Sequence, residues 1–87
     1  MAPQYQTLQT IYNIVKNDPQ PTTYLCSTRE IILRQEAGWS SIEKHLEMLE
    51  KEKLIVIKKL DRVVVCITSA GIEAIHAFAR HLHSDQQ

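Results

Sequence analysis

The sequence predicts a mainly helical α+β fold in one domain, ordered helix, short strand, helix, helix, strand, strand, helix. Three observations predict it: apolar residues recur at steps of three and four in three stretches, two β-rich runs lie close together late in the chain, and glycine or proline marks the junctions. Eighty-seven residues hold one core and leave no room for a second, so residues 1–87 are read as a single domain with frayed ends at 1–4 and 84–87. At 44% hydrophobic and 23% charged, the composition is that of a packed chain rather than a disordered one. No run approaches the length of a membrane span.

Tyr5, Leu8, Ile11, Tyr12 and Val15 share one face of a first helix that ends before Asn17 and Pro19. Thr22–Cys26 is rich in β-branched and aromatic residues and too short for a helix, so a brief strand is expected there. Ser27 and Glu30 have the spacing of a capping box and open a second helix, which Ala37-Gly38 breaks. Ser40 and Glu43 repeat that spacing, and Ile42, Leu46 and Leu49 follow as the inner face of a third helix, with Trp39 stapling its entry. Leu54–Ile57 and Val63–Ile67 then read as a hairpin whose polar tip is Lys58–Arg62. Thr68 or Ser69 caps a last helix bearing Ile72, Ile75, Phe78, Ala79 and Leu82.

Two helices joined by a tight glycine turn and followed at once by a hairpin resemble the winged helix-turn-helix domain. The resemblance is carried by Gly38 to Ile55 and, after the hairpin, by Ile67-Thr68-Ser69-Ala70-Gly71. It is similar to the pattern of small transcription regulators of the MarR, PadR and penicillinase-repressor groups. The resemblance implies a sequence-specific regulator that sits on promoter or operator DNA as a homodimer, with a recognition helix at about 40–52 in the major groove and a wing at about 55–67 on the backbone or minor groove. Where many relatives carry glycine after that helix, this chain has Lys53.

With Ile42, Leu46 and Leu49 turned inward, Ser40, Ser41, Lys44 and His45 are the candidates for groove contact, and Lys58, Lys59 and Arg62 for the phosphate backbone. Against that stand plainer roles: Ser40 and Glu43 as caps, Lys44 as a solvated charge, the wing cations as an ordinary polar turn. Charge also argues for restraint, because ten basic and ten acidic side chains give a formal net charge of +0. From Trp39 to Arg62 six bases (Lys44, Lys51, Lys53, Lys58, Lys59, Arg62) meet five acids (Glu43, Glu47, Glu50, Glu52, Asp61). The different-class alternative is therefore a winged helix that binds another protein and no DNA.

A two-fold homodimer through the first and last helices is expected from the surplus of apolar residues there, notably Tyr5, Tyr12 and Ile14. Cys26 and Cys66 are too few for a disulfide framework and fit reduced thiols in a cytoplasmic setting, Cys66 in the core and Cys26 partly exposed and oxidisable. The start of the chain shows no secretory leader. Of His76, His81 and His83, the pair His76 and His81 is five positions apart and does not share a helix face, which argues against a metal site, and no cofactor is called for. No phosphate loop, paired acid in an apolar pocket or nucleophile–histidine signature supports catalysis, so the chain is read as no enzyme.

Overall fold

The structure is a computed structural model that describes residues 2–85, with side chains through Arg80. Its described residues form four helices, one short 3-10 turn and a three-stranded antiparallel sheet, a mainly helical α+β architecture. Helix α1 spans Pro3–Val15 and buries Thr7, Leu8, Ile11 and Val15. Pro3 opens it, at a position where the missing N–H loses no bond, so residues 3 and 4 lie in its first turn.

The strand expected over Thr22–Cys26 is mostly absent. Pro21–Thr23 folds as a 3-10 turn, because Pro21 fixes its own φ and local bonds win: Thr23 N donates to Gln20 O at 3.1 Å and Tyr24 N to Pro21 O at 3.3 Å. Only Cys26–Ser27 (β1) reaches the sheet. Helix α2, Thr28–Gln35, is capped by Ser27, whose hydroxyl accepts from Arg29 N at 3.2 Å. The reciprocal arm of the box is not made, and Glu30 instead pairs with Arg34 one turn on, at 3.5 Å.

Helix α3 is Trp39–Lys51, so the Ser40 cap is corrected: Gly38 is the N-cap and Ser40 lies inside the first turn. Ile42 N already donates to Gly38 O at 3.2 Å, so the helical ladder has begun before Ser40 can cap it. The break ahead of it is made by Glu36, left-handed at φ 52°, while Gly38 is extended.

At the other end Glu52 caps α3 and Lys53 takes a left-handed φ of 63°. Lys53 N donates to Glu50 O and Leu54 N to Leu49 O, the paired bonds of a Schellman closure, with lysine where glycine fits without strain. Lys53→Gly is accordingly expected to raise stability by about 1 kcal/mol, read as a higher midpoint in urea at unchanged slope.

Strands β2 (Ile55–Lys59) and β3 (Val63–Ile67) pair antiparallel, with Ile57 opposite Val65, and β1 adds to the far side of β3 through Cys26 opposite Val65. The sheet order β1-β3-β2 leaves β2 as one edge. Helix α4, Ser69–Asp85, follows β3 directly. Of the two hydroxyls expected to cap it, Thr68 does so: its Oγ1 accepts from Gly71 N at 3.0 Å and donates to Lys53 O at 2.8 Å, which ties the start of α4 to the end of α3.

The core gathers Leu8, Ile11 and Val15 of α1, Ile31 of α2, Ile42, Leu46 and Leu49 of α3, sheet residues including Ile55, Val65 and Ile67, and Ile75 of α4. Tyr5 and Tyr12, expected at a two-fold interface, pack within the chain: Tyr5 meets Phe78 at 5.0 Å between ring centroids and Tyr12 meets His76 at 5.7 Å. Ile14 is likewise half-buried against the core. The surplus that called for a partner across α1 and α4 is therefore largely consumed by packing these helices on each other. Leu82, His81 and His83 lie outside the residues whose side chains are described.

Both thiols are buried and free, including Cys26, which was expected to be partly exposed. Burial pushes the Cys26 thiol up to about 12, so it is protonated and a poor nucleophile at neutral pH. Because Cys26 is paired with Val65 and Cys66 is the next residue along β3, the two side chains leave opposite faces of the sheet. They are not placed to join. No helix of the described residues is long and apolar enough to cross a membrane.

Candidate nucleic-acid interface on helix α3 and the wing

Helix α3 is held on one side and free on the other. Ile42, Leu46 and Leu49 are almost wholly excluded from solvent against the core, as their spacing requires. Two polar contacts then fix the helix on α1: Thr7 Oγ1 lies 2.8 Å from His45 Nδ1, and Tyr5 donates its phenolic proton to Glu52 Oε1 at 2.5 Å. That carboxylate, more than partial burial, holds the Tyr5 phenol above its ordinary value, since losing the proton would break the bond and set two anions together. A third contact joins α3 to the wing, where Glu50 Oε2 accepts from Ile57 N at 3.0 Å.

This last bond follows from the register. The bonds Thr68 N to Leu54 O and Leu60 N to Arg62 O mark the even-numbered residues of β2 as those that bond β3. Ile55, Ile57 and Lys59 therefore turn their backbone groups to the open edge, and Glu50 occupies the Ile57 donor. An unpaired edge invites association with another strand, and the carboxylate blocks that edge from inside the molecule.

Of the residues selected from the sequence, Ser40, Ser41 and Lys44 are exposed on α3. His45 is not with them: half-buried, it gives Nδ1 to the fully buried Thr7, so the ring positions α3 on α1. Lys58, Lys59 and Arg62 are all exposed, yet they do not gather at a tip. Lys58 and Lys59 are consecutive residues of β2 and leave opposite faces of the pleat, and only Leu60–Arg62 makes the loop.

One cation was overlooked in the sequence. Lys51 is exposed and seven residues beyond Lys44, a spacing that returns to the same side of a helix, so Ser40, Lys44 and Lys51 form one outward row. Met48, 45% exposed, lies beside that row and is its apolar member.

The acids of α3 lie on the side nearer the wing. Trp39, Leu46 and the carboxylates of Glu43, Glu47 and Glu50 form one wall of a groove of about 450 Å³; Ile57, Lys59 and Val63 form the other. The row and this groove adjoin on one helix and share Glu47, which lies seven residues beyond Ser40 and between Lys44 and Lys51, so the row carries two lysines and one carboxylate. Elsewhere, His76 Nε2 is 3.2 Å from Tyr12 Oη. No group of three or more His, Cys, Asp or Glu is gathered for a metal among the described residues.

Compared with known protein families, with curated proteins and with solved structures, the chain matches none.

Proposed function

We propose that the chain is a winged helix-turn-helix domain that binds duplex DNA and regulates transcription from promoter or operator sites. The observation that carries this reading is the division of α3 into a locked inner face and an uncovered outer row of Ser40, Ser41, Lys44 and Lys51. A helix of this kind fits the major groove, where short hydroxyls and lysines bond base edges and phosphates. Lys58 and Arg62 on the neighbouring wing would meet the flanking backbone, with Lys59 nearer the groove wall. Glu50 is turned onto the Ile57 amide and Glu43 flanks the groove, whereas Glu47 stands in the outer row between Lys44 and Lys51 and offsets part of its attraction for phosphate.

With a net charge of zero, one domain neutralises few phosphates. Pairing of two copies would double the contacts and set two recognition helices about 34 Å apart, one turn of the duplex. Because Tyr5 and Tyr12 are engaged internally, such a homodimer would use the remaining outward faces of α1 and α4. Two buried free thiols suit a reducing, cytoplasmic setting.

Fluorescence anisotropy with a labelled duplex tests the reading. Four cations per domain (Lys44, Lys51, Lys58, Arg62) predict a slope of log affinity against log salt of roughly −3 to −4 per domain, and Lys58→Ala should flatten it by about one unit. The second reading, a protein-binding winged helix, draws on the exposed Met48 and on Leu60, 63% exposed at the wing loop. No affinity for DNA even at low salt would favour it.

A further inference from the structure

The groove between α3 and the wing is built for something other than a phosphate. Its volume of about 450 Å³ falls within the range of small-molecule sites. Leu46 is nearly fully buried at the α3 wall and Trp39 stands 39% exposed beside it, while Ile57 and Val63 line the opposite side. Around this apolar lining stand three carboxylates and one ammonium. Glu50 already serves the Ile57 amide, whereas Glu43 and Glu47 have no hydrogen-bond or ion-pair partner among the described residues. Lys59, the only cation of the lining, makes no ion pair with them within 4.0 Å among the described residues.

We propose that this groove binds a small organic cation with an apolar, aromatic body. The body would lie against Leu46, Ile57, Val63 and the open face of the Trp39 indole; the positive centre would sit between Glu43 and Glu47. The choice of sign follows from charge: three carboxylates against one ammonium repel an anion and give a neutral ligand no compensation for the water it displaces from them. The choice of an apolar body follows from the lining, and an exposed indole adds attraction to a cation held over its face. A compact hydrophilic cation would leave the apolar lining unused. This inference does not rest on the DNA reading, because the groove lies on the flank of α3 beside the Ser40–Lys51 row and shares only Glu47 with it.

Trp39 is the sole tryptophan of the chain and reports on the groove directly. Titration with tetraphenylphosphonium, followed by Trp39 emission and by calorimetry, is expected to saturate at one per chain. Tetraphenylborate, of the same shape and opposite charge, is expected to bind at least about tenfold more weakly. Glu43→Gln combined with Glu47→Gln should weaken the phosphonium by about tenfold, with the far-UV spectrum unchanged because both positions are exposed. Lys59→Gln should tighten it a few-fold. Equal binding of the two ions, binding of neither, or an affinity indifferent to both the glutamate and the lysine changes would overturn the proposal.

Discussion

Gly71→Ala is expected to destabilise the protein by about 3 kcal/mol, a large share of the roughly 5–15 kcal/mol that holds a domain of this size together. Alanine is the better helix former by about 1 kcal/mol, so propensity alone predicts the opposite sign. Packing decides. The buried Gly71 lies in the first turn of α4 directly over the turn that ends α3, and a Cβ built there would collide with the Leu54 carbonyl oxygen and stand 2.8 Å from Ile67 Cγ1. The carbonyl cannot yield, because it accepts from Thr68 N at 3.0 Å, and Thr68 also bonds Lys53 O and the Gly71 amide. Relief would require moving α4 away from the sheet. At Gly38 an added Cβ meets nothing within 4 Å, and Gly38→Ala is expected to change stability by less than about 1 kcal/mol. Urea denaturation of the two variants beside the parent measures the contrast; equal effects would show that the α3–α4 junction is looser than described.

Leu46→Ala is the second large loss, also about 3 kcal/mol. Leu46 is 1% exposed, sits mid-way along α3 and faces the core that α1 completes, so truncation leaves a cavity beneath the helix that carries the site. His45–Thr7 and Tyr5–Glu52 would still tether α3, which limits how far it can collapse into the space and keeps the cost near that of a rigid cavity. A urea midpoint lowered at constant slope is the expected readout. A loss below about 1 kcal/mol would mean that α3 is not anchored through this residue.

Helices α1, α3 and α4 were legible because their apolar residues repeat at a helical step, α2 from the Ser27 cap ahead of it, and the phase of Ile42, Leu46 and Leu49 alone assigns Ser40, Ser41 and Lys44 to the outside. Their caps were less so. Ser27 and Ser40 are both followed by glutamate three residues on, yet only Ser27 caps, since Gly38 already holds the N-cap position of α3 and Ser40 lies inside its first turn. Thr22 to Leu25 carried β propensity that the Pro21 turn overrode. His45 was misplaced for a different reason: its partner, Thr7, is thirty-eight residues away, and no local pattern announces a buried hydroxyl on another helix. Lys58 and Lys59 read as one cluster in a line of letters, and the pleat separates them. The groove was not legible at all, because residues 39–50 and 57–63 form it only when the wing folds back beside α3.

The outer row of α3 is the surface expected to meet the duplex. Amide chemical-shift mapping of the labelled protein on addition of duplex DNA at low salt tests this directly. The expected result is perturbation concentrated at Ser40, Ser41, Lys44 and Lys51, with Lys58 and Arg62 on the wing, fading as salt is added. Shifts confined to α2, or no shifts at any residue, would contradict it.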